Sequence, residues 1–209
     1  MADKLTPAKE NQILRKIEKY KKALRKEKAT FKAYHDGGGY RYEIAELYFK
    51  LRDYKQTNRY LNWFDKNFPD DAKYTYFDLG KAVTKFELGK ETESKLSTIE
   101  LNRHNTYLID LLIGNETTHQ NKYEWMESES LTWAQQQLAE HRNLVTETYI
   151  AWLSAFVEED VYTSWYTRLI SIKKLLKGME VSSERSDLLK AERRCIHDWK
   201  MVIKKSSKT

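Results

Sequence analysis

Residues 42–71 read YEIAELYFKLRDYKQTNRYLNWFDKNFPDD, and their spacing decides the architecture. Ile44, Ala45, Tyr48 and Leu51 recur at three- and four-residue steps, which lays an apolar stripe along one face of a helix. Tyr54, Thr57, Leu61, Phe64 and Phe68 lay a second stripe in the same way. Arg52-Asp53 supplies the turn between them. Pro69 stops the second helix because it has no amide hydrogen for the next ladder bond. Small residues at Ala45 and Thr57 let the two backbones approach closely. The pattern predicts two short antiparallel helices.

Upstream, one long helix is expected over 8–35, with Ile13, Ile17, Tyr20, Leu24, Phe31 and Tyr34 on one face and Glu27-Lys28 interrupting them. Thr6-Pro7 is a capping residue followed by a proline suited to the first helical position. Lys16, Lys19, Lys22, Arg25 and Lys26 occupy the other face. The apolar stripe is too short for a sustained heptad seam, so the helix is expected to pack on the first pair. Gly37-Gly38-Gly39 breaks it. No Gly-Lys-Ser/Thr follows, so the glycines are read as a tight turn and not as a phosphate loop. Antiparallel geometry should bring Arg41 near Asp70 and Asp71 as a charge clasp.

Downstream, Leu79, Gly80, Val83 and Phe86 repeat the large-small pattern, Leu88-Gly89-Lys90 is a turn, and Leu96, Ile99 and Leu101 mark the returning helix. Tyr107, Leu108, Leu111, Leu112 and Ile113 form a short helix ended by Gly114. Three helices are expected beyond it: about 124–143, one through Val145 and Phe156, and one from Val161 to Leu176 capped by Gly178. A last amphipathic helix spans 182–204. Trp125, Trp133, Trp152 and Trp165 lie close to apolar stripes and read as core. Trp63 lies beside its stripe, and part of its ring is expected to be exposed.

These helix pairs resemble the tetratricopeptide repeat, a helix-turn-helix unit of about 34 residues. Ile44, Ala45 and Tyr48 match the large-small-aromatic order of its first helix; Arg52, Thr57, Leu61 and Phe64 fall on its turn and second-helix positions, and Pro69 on its closing proline. Arg52 stands where the pattern has glycine and Phe64 where it has alanine, so the pair should splay. The longer string from Asp36 to Asp71 also resembles tetratricopeptide proteins of bacteria, without an activity attached. The resemblance implies an all-α fold of antiparallel repeats in a right-handed superhelix. It implies a scaffold or adaptor binding a protein or peptide partner, in three parts: a basic N-terminal helix (1–36), the repeats (37–115) and a C-terminal helical region (116–209). It places partner-binding positions at Tyr42, Glu46, Phe49 and Lys50 in the first pair and Phe77, Lys81, Thr84 and Lys85 in the second. Such a groove suits an extended peptide with an acidic residue and an apolar anchor, unless the terminal helices fill it.

Composition agrees with helix: seven glycines and two prolines in 209 residues, with 13% aromatics against 33% charged residues, favour an ordered helical core. Cys195 stands alone, which excludes an internal disulfide. No apolar run approaches the roughly 20 residues of a membrane span, and residues 1–12 lack a signal-peptide core, so a cytoplasmic protein is expected. The net charge of +6 is segregated: residues 1–36 carry +6, residues 165–209 carry +7 and the stretch between carries −7. Basic ends admit an alternative, association with nucleic acid through the terminal helices.

Catalytic signals are fragmentary. His35, His104, His119, His141 and His197 show no H-x-x-x-H or H-E-x-x-H spacing, so helical metal ligation is unsupported. Glu127 and Glu129, like Cys195 and His197, are two apart and cannot share a helix face. The sequence is read as a binding protein without catalysis, metal or cofactor.

Overall fold

The computed structural model describes residues 5–69, 71 and 75–206. Among them every regular element is helical: α1 (Pro7–Phe31), α2 (Tyr40–Lys50), α3 (Tyr54–Asn67), α4 (Thr75–Glu87), α5 (Glu91–His104), α6 (Leu108–Ile113), α7 (Leu131–His141), α8 (Glu147–Val157), α9 (Asp160–Leu176) and α10 (Ser183–Ser206). Short 3-10 turns at Glu127–Glu129 and Arg142–Leu144 flank α7. No helix is long and apolar enough to cross a membrane among the described residues.

α1 begins as its sequence dictates, with Thr6 Oγ1 accepting from the Lys9 amide and Pro7 in the first turn. It buries Ile17, Tyr20 and Leu24 against α2. It ends at Phe31, four residues before the expected 35, because Lys32 turns left-handed at φ 59°. Tyr34 then leaves the helix line and packs edge-on against Trp63, 5.4 Å between centroids. Glu27, the break in the apolar stripe, accepts the Asp36 amide at 2.9 Å and so anchors this loop.

Buried Asp36 caps α2, accepting from the Tyr40 amide at 2.7 Å and the Arg41 amide at 2.9 Å. The chain's own carboxylate therefore occupies the helix start that follows the glycine run. Gly39 makes that return possible at φ 67°, a left-handed angle that side chains resist. The charge clasp forms to Asp71, whose Oδ2 accepts Arg41 Nε at 2.7 Å, and Arg41 also bonds Asp36 at 3.2 Å. Asp70 lies outside the described residues.

The α2–α3 turn holds Arg52 at φ 54°, the left-handed geometry for which glycine would be preferred. Its guanidinium donates to the Asn143 carbonyl at 2.9 Å, which ties the turn to the far end of α7. Asp53 caps α3 through the Gln56 amide. The α4–α5 turn has its glycine, Gly89, at φ 69°. Across that pair Ser94 Oγ donates to the Ala82 carbonyl at 2.9 Å, as only a small residue at close helix approach can.

Two apolar clusters form the core. One joins α1, α2 and α3; the other joins α4 to α10. They are stitched by an exchange: Phe49 of α2 reaches into the second cluster and Phe77 of α4 into the first. Gly80 permits the crossing, since a Cβ there would stand 3.3 Å from the Phe49 ring. α7 and α8 cover one face of α4, with Tyr76 stacked on His141 at 4.9 Å and Phe86 edge-on to Tyr149 at 5.5 Å.

The region beyond α6 departs most from expectation. No helix spans 124–143; α7 begins only at Leu131, capped by Ser130 Oγ accepting from the Trp133 amide. The preceding segment is held extended because the Tyr123 amide bonds the Lys173 carbonyl at 2.8 Å and Asn105 Nδ2 donates to the Ser128 and Ser130 carbonyls. Trp125 is consequently 70% exposed and not core, whereas Trp165 is buried. α10 closes the molecule against α9 and α5, with Trp199 Nε1 donating to the Val161 carbonyl at 2.8 Å.

Candidate functional site

A cavity of about 740 Å3 forms a groove between α3, α4, α5 and α10. Its lining is dense in charge of both signs. Lys81 and Lys85 come from α4, one turn apart on one face, and meet Asp65 of α3 at 2.6 Å and Glu93 of α5 at 2.5 Å. Lys200 of α10 pairs with Glu100 of α5, which Arg103 also contacts at 2.9 Å. Lys204, one turn beyond Lys200, lines the groove, is exposed and has no ion-pair partner among the described residues. Among the described lining residues Leu96 and Pro69 are the apolar ones.

Asp78 and His104 form a second kind of contact there. Buried Asp78 accepts a short hydrogen bond from His104 Nδ1, while Arg103 Nη2 lies 2.8 Å from His104 Nε2. Arginine has donors only, so a hydrogen bond between the two has Nε2 as its acceptor, with Nδ1 turned to Asp78. This is the orientation of a general base, but Arg103 occupies the nitrogen that would take a nucleophile's proton. The arrangement positions charge. It does not build a nucleophile. Among the described residues no group of three His, Cys, Asp or Glu side chains is placed to hold a metal ion.

Burial works to raise the Glu100 carboxyl, yet the Lys200 hydrogen bond and the charges of Arg103 and Lys200 outweigh it and hold it below its ordinary 4.5. Glu93 is held down likewise, against burial, by hydrogen bonds from Lys85 and Lys90. A carboxyl depressed in the folded state stabilises above its unfolded value and loses that contribution as pH falls through its folded value. Acidification below 4.5 should therefore loosen α10 from α5. The check is amide exchange along α10 from pH 6 to 3: protection should fall at the acid end, and Glu100→Gln should flatten that fall. An unchanged pH profile in the variant would refute the assignment.

The eight residues anticipated from the repeat pattern divide. Lys81 lines the groove, and Lys85 reaches it although the residue is buried. Phe49, Phe77 and Thr84 are buried in the inter-helix core and present no surface. Tyr42 is half-buried against Phe64 at 5.5 Å, and Glu46 pairs with Lys50 on a different part of α2. Of the α4 set, Lys81 and Lys85 line this groove, and the α2 set does not. Comparison with protein-family models, curated proteins and solved structures finds no match for this chain.

Residues that sequence reasoning missed are the groove's opposing walls. Asp65, Asp78, Glu100, His104 and Lys200 come from four helices, and apart from Glu100 and His104, one turn apart on α5, no local spacing relates them. The usable signal was Lys81/Lys85, two lysines one turn apart on α4. Trp63 behaves as expected, half-buried and lining a separate, smaller cavity.

Proposed function

We propose that the chain is a tetratricopeptide-like scaffold, without catalysis, that holds an extended segment of a protein partner in the groove between α3, α4, α5 and α10. The repeat reading is supported by two adjacent helix pairs, α2–α3 and α4–α5, with α2 and α3 both touching α4. Their turn residues, Arg52 and Gly89, share the left-handed geometry and lie 37 positions apart (89 − 52). The observation that carries the binding reading is the groove itself: it is open, lined by charged side chains from four helices, and includes Lys204, which has no ion-pair partner among the described residues. A partner's acidic side chain would meet Lys204 and the Lys200–Glu100 pair, and its backbone would exchange hydrogen bonds with the ionic rim. Such a surface favours a charged, reversible partner over an obligate one.

Site-specific photo-crosslinkers at Leu96 and Arg103, with a control at exposed Lys174, test this in the native host lysate treated with nuclease. A protein partner should be captured from the groove positions alone and lost in Lys81→Glu/Lys204→Glu with the fold intact. Equal capture from Lys174, or capture unaffected by the two reversals, would remove the groove from consideration.

A further inference from the structure

A second cavity, about 310 Å3, opens between α1, α3 and the loop that carries Tyr34. Four aromatic rings line it, Tyr34, Tyr48, Tyr60 and Trp63, together with three cations, Lys21, Arg25 and Arg59. No acidic side chain is among its lining residues in the described part of the chain. The rings form a continuous wall: Trp63 lies 5.0 Å from Tyr60 and 5.4 Å from Tyr34, the latter edge-on at 81°. Tyr60 has spent its hydroxyl on the Arg41 carbonyl at 3.0 Å, so its ring is fixed in place.

The cations are weakly committed. Among the described residues Arg59 reaches only Gln56, at 3.4 Å, and Arg25 only Glu18, at 3.9 Å across exposed side chains. Contacts of that length in solvent contribute little and yield to a better anion. Lys21 is held over the Tyr48 ring at 5.1 Å and meets exposed Glu18 at 3.3 Å, and Lys22 and Lys26 continue the positive face of α1 outside the cavity. Flat aromatic walls with guanidinium groups from two different helices match a ligand that is itself flat at one end and anionic at the other. A lone phosphate would leave the rings uncovered. An acidic peptide side chain has too short an apolar stem to cover them.

We propose that this cavity binds a nucleoside phosphate, its base against the Trp63 and Tyr34 rings and its phosphate on Arg25 and Arg59. This site is separate from the groove, and the assignment does not depend on the scaffold reading. The ligand chemistry is shared by a free mononucleotide and by one unit of a single strand, whose neighbouring phosphates would follow Lys22 and Lys26.

The full chain is titrated with AMP, UMP and a four-residue oligothymidylate, followed by calorimetry and tryptophan fluorescence, with inorganic phosphate, adenosine and an acidic tetrapeptide as comparisons. Saturable nucleotide binding is expected, with Trp63→Phe removing the fluorescence response and keeping the heat. Arg25→Glu and Arg59→Glu, both at exposed positions, should each weaken it about tenfold while leaving the melting curve unchanged. Tighter and more salt-sensitive binding of the oligonucleotide identifies a single strand as the source; binding of AMP at least as tight identifies the free nucleotide. The proposal is overturned by absence of saturation at millimolar nucleotide, by indifference to both charge reversals, or by phosphate or the tetrapeptide binding as tightly as AMP.

Discussion

Phe64→Ala, which would install the residue that the repeat pattern has at this position, is expected to destabilise the chain by about 3–5 kcal/mol. Phe64 is fully buried at the junction of α2, α3 and α4, with the Phe77 ring 4.7 Å away, Phe68 at 5.2 Å and Tyr42 at 5.5 Å. Alanine would remove the ring around which these three are arranged, and packed neighbours collapse only partly into such a void. Because Phe77 belongs to α4, the loss also weakens the join between the two helix pairs. A fall in Tm of roughly 10 °C follows for a chain of this size. Phe64→Leu, which keeps most of the volume, should cost about a third as much. Thermal and urea melts of both variants decide it. A Phe64→Ala loss below about 1 kcal/mol would mean that the site repacks and that the ring cluster does not bind the pairs together.

That prediction also shows where the sequence was informative. The periodicities at Ile44/Ala45/Tyr48 and Thr57/Leu61/Phe64 are local, set by 3.6 residues per turn, and helices stand where they predict. The Thr6 cap and the helix end at Gly114 were legible for the same reason, since each acts within a few residues of itself; the Asp53 cap on α3 was read only as part of a turn. Helix ends set by distant contacts were not legible. α1 stops at Phe31, where Lys32 turns left-handed and Tyr34 packs on Trp63, and α7 starts late because residues before it bind α9 and Asn105. Nothing near residue 124 in the chain encodes the Lys173 carbonyl.

Charge was the least legible feature of the candidate site. A lysine at helical spacing reads as solvated, yet Lys85 and Lys173 are buried, each satisfied by a carboxylate on another element. The Asp78–His104 contact spans 26 positions and two helices. Sequence could place Lys81 and Lys85 on one face of α4, but the walls that turn this face into a groove belong to α3, α5 and α10. The aromatic cavity was half visible, since Trp63 beside its stripe suggested an exposed ring. Its cations come from a helix whose docking angle no periodicity reveals.

Lys173 carries the second large expected effect. Its side chain is 5% exposed, and its ammonium meets Glu129 at 2.8 Å and Glu192 at 3.6 Å, both carboxylates being themselves largely buried. One cation thereby ties the turn before α7 and the middle of α10 to α9. Its backbone carbonyl accepts the Tyr123 amide from the same extended segment. Lys173→Met keeps the apolar stem but leaves two carboxylates facing each other in a low-dielectric site, at a cost of about 3–5 kcal/mol. The penalty arises from the abandoned acids and not from the lost attraction alone, so it should be partly recoverable. Lys173→Met/Glu129→Gln is expected to be more stable than Lys173→Met, although it carries one substitution more. Amide exchange separates this account from a general loss of packing. Protection should fall first across residues 123–131, where Lys173 holds the chain, and α2–α5 should remain as protected as in the parent protein. Uniform loss along the whole chain, or a double variant weaker than the single one, would show that Lys173 acts through packing and not through its charge.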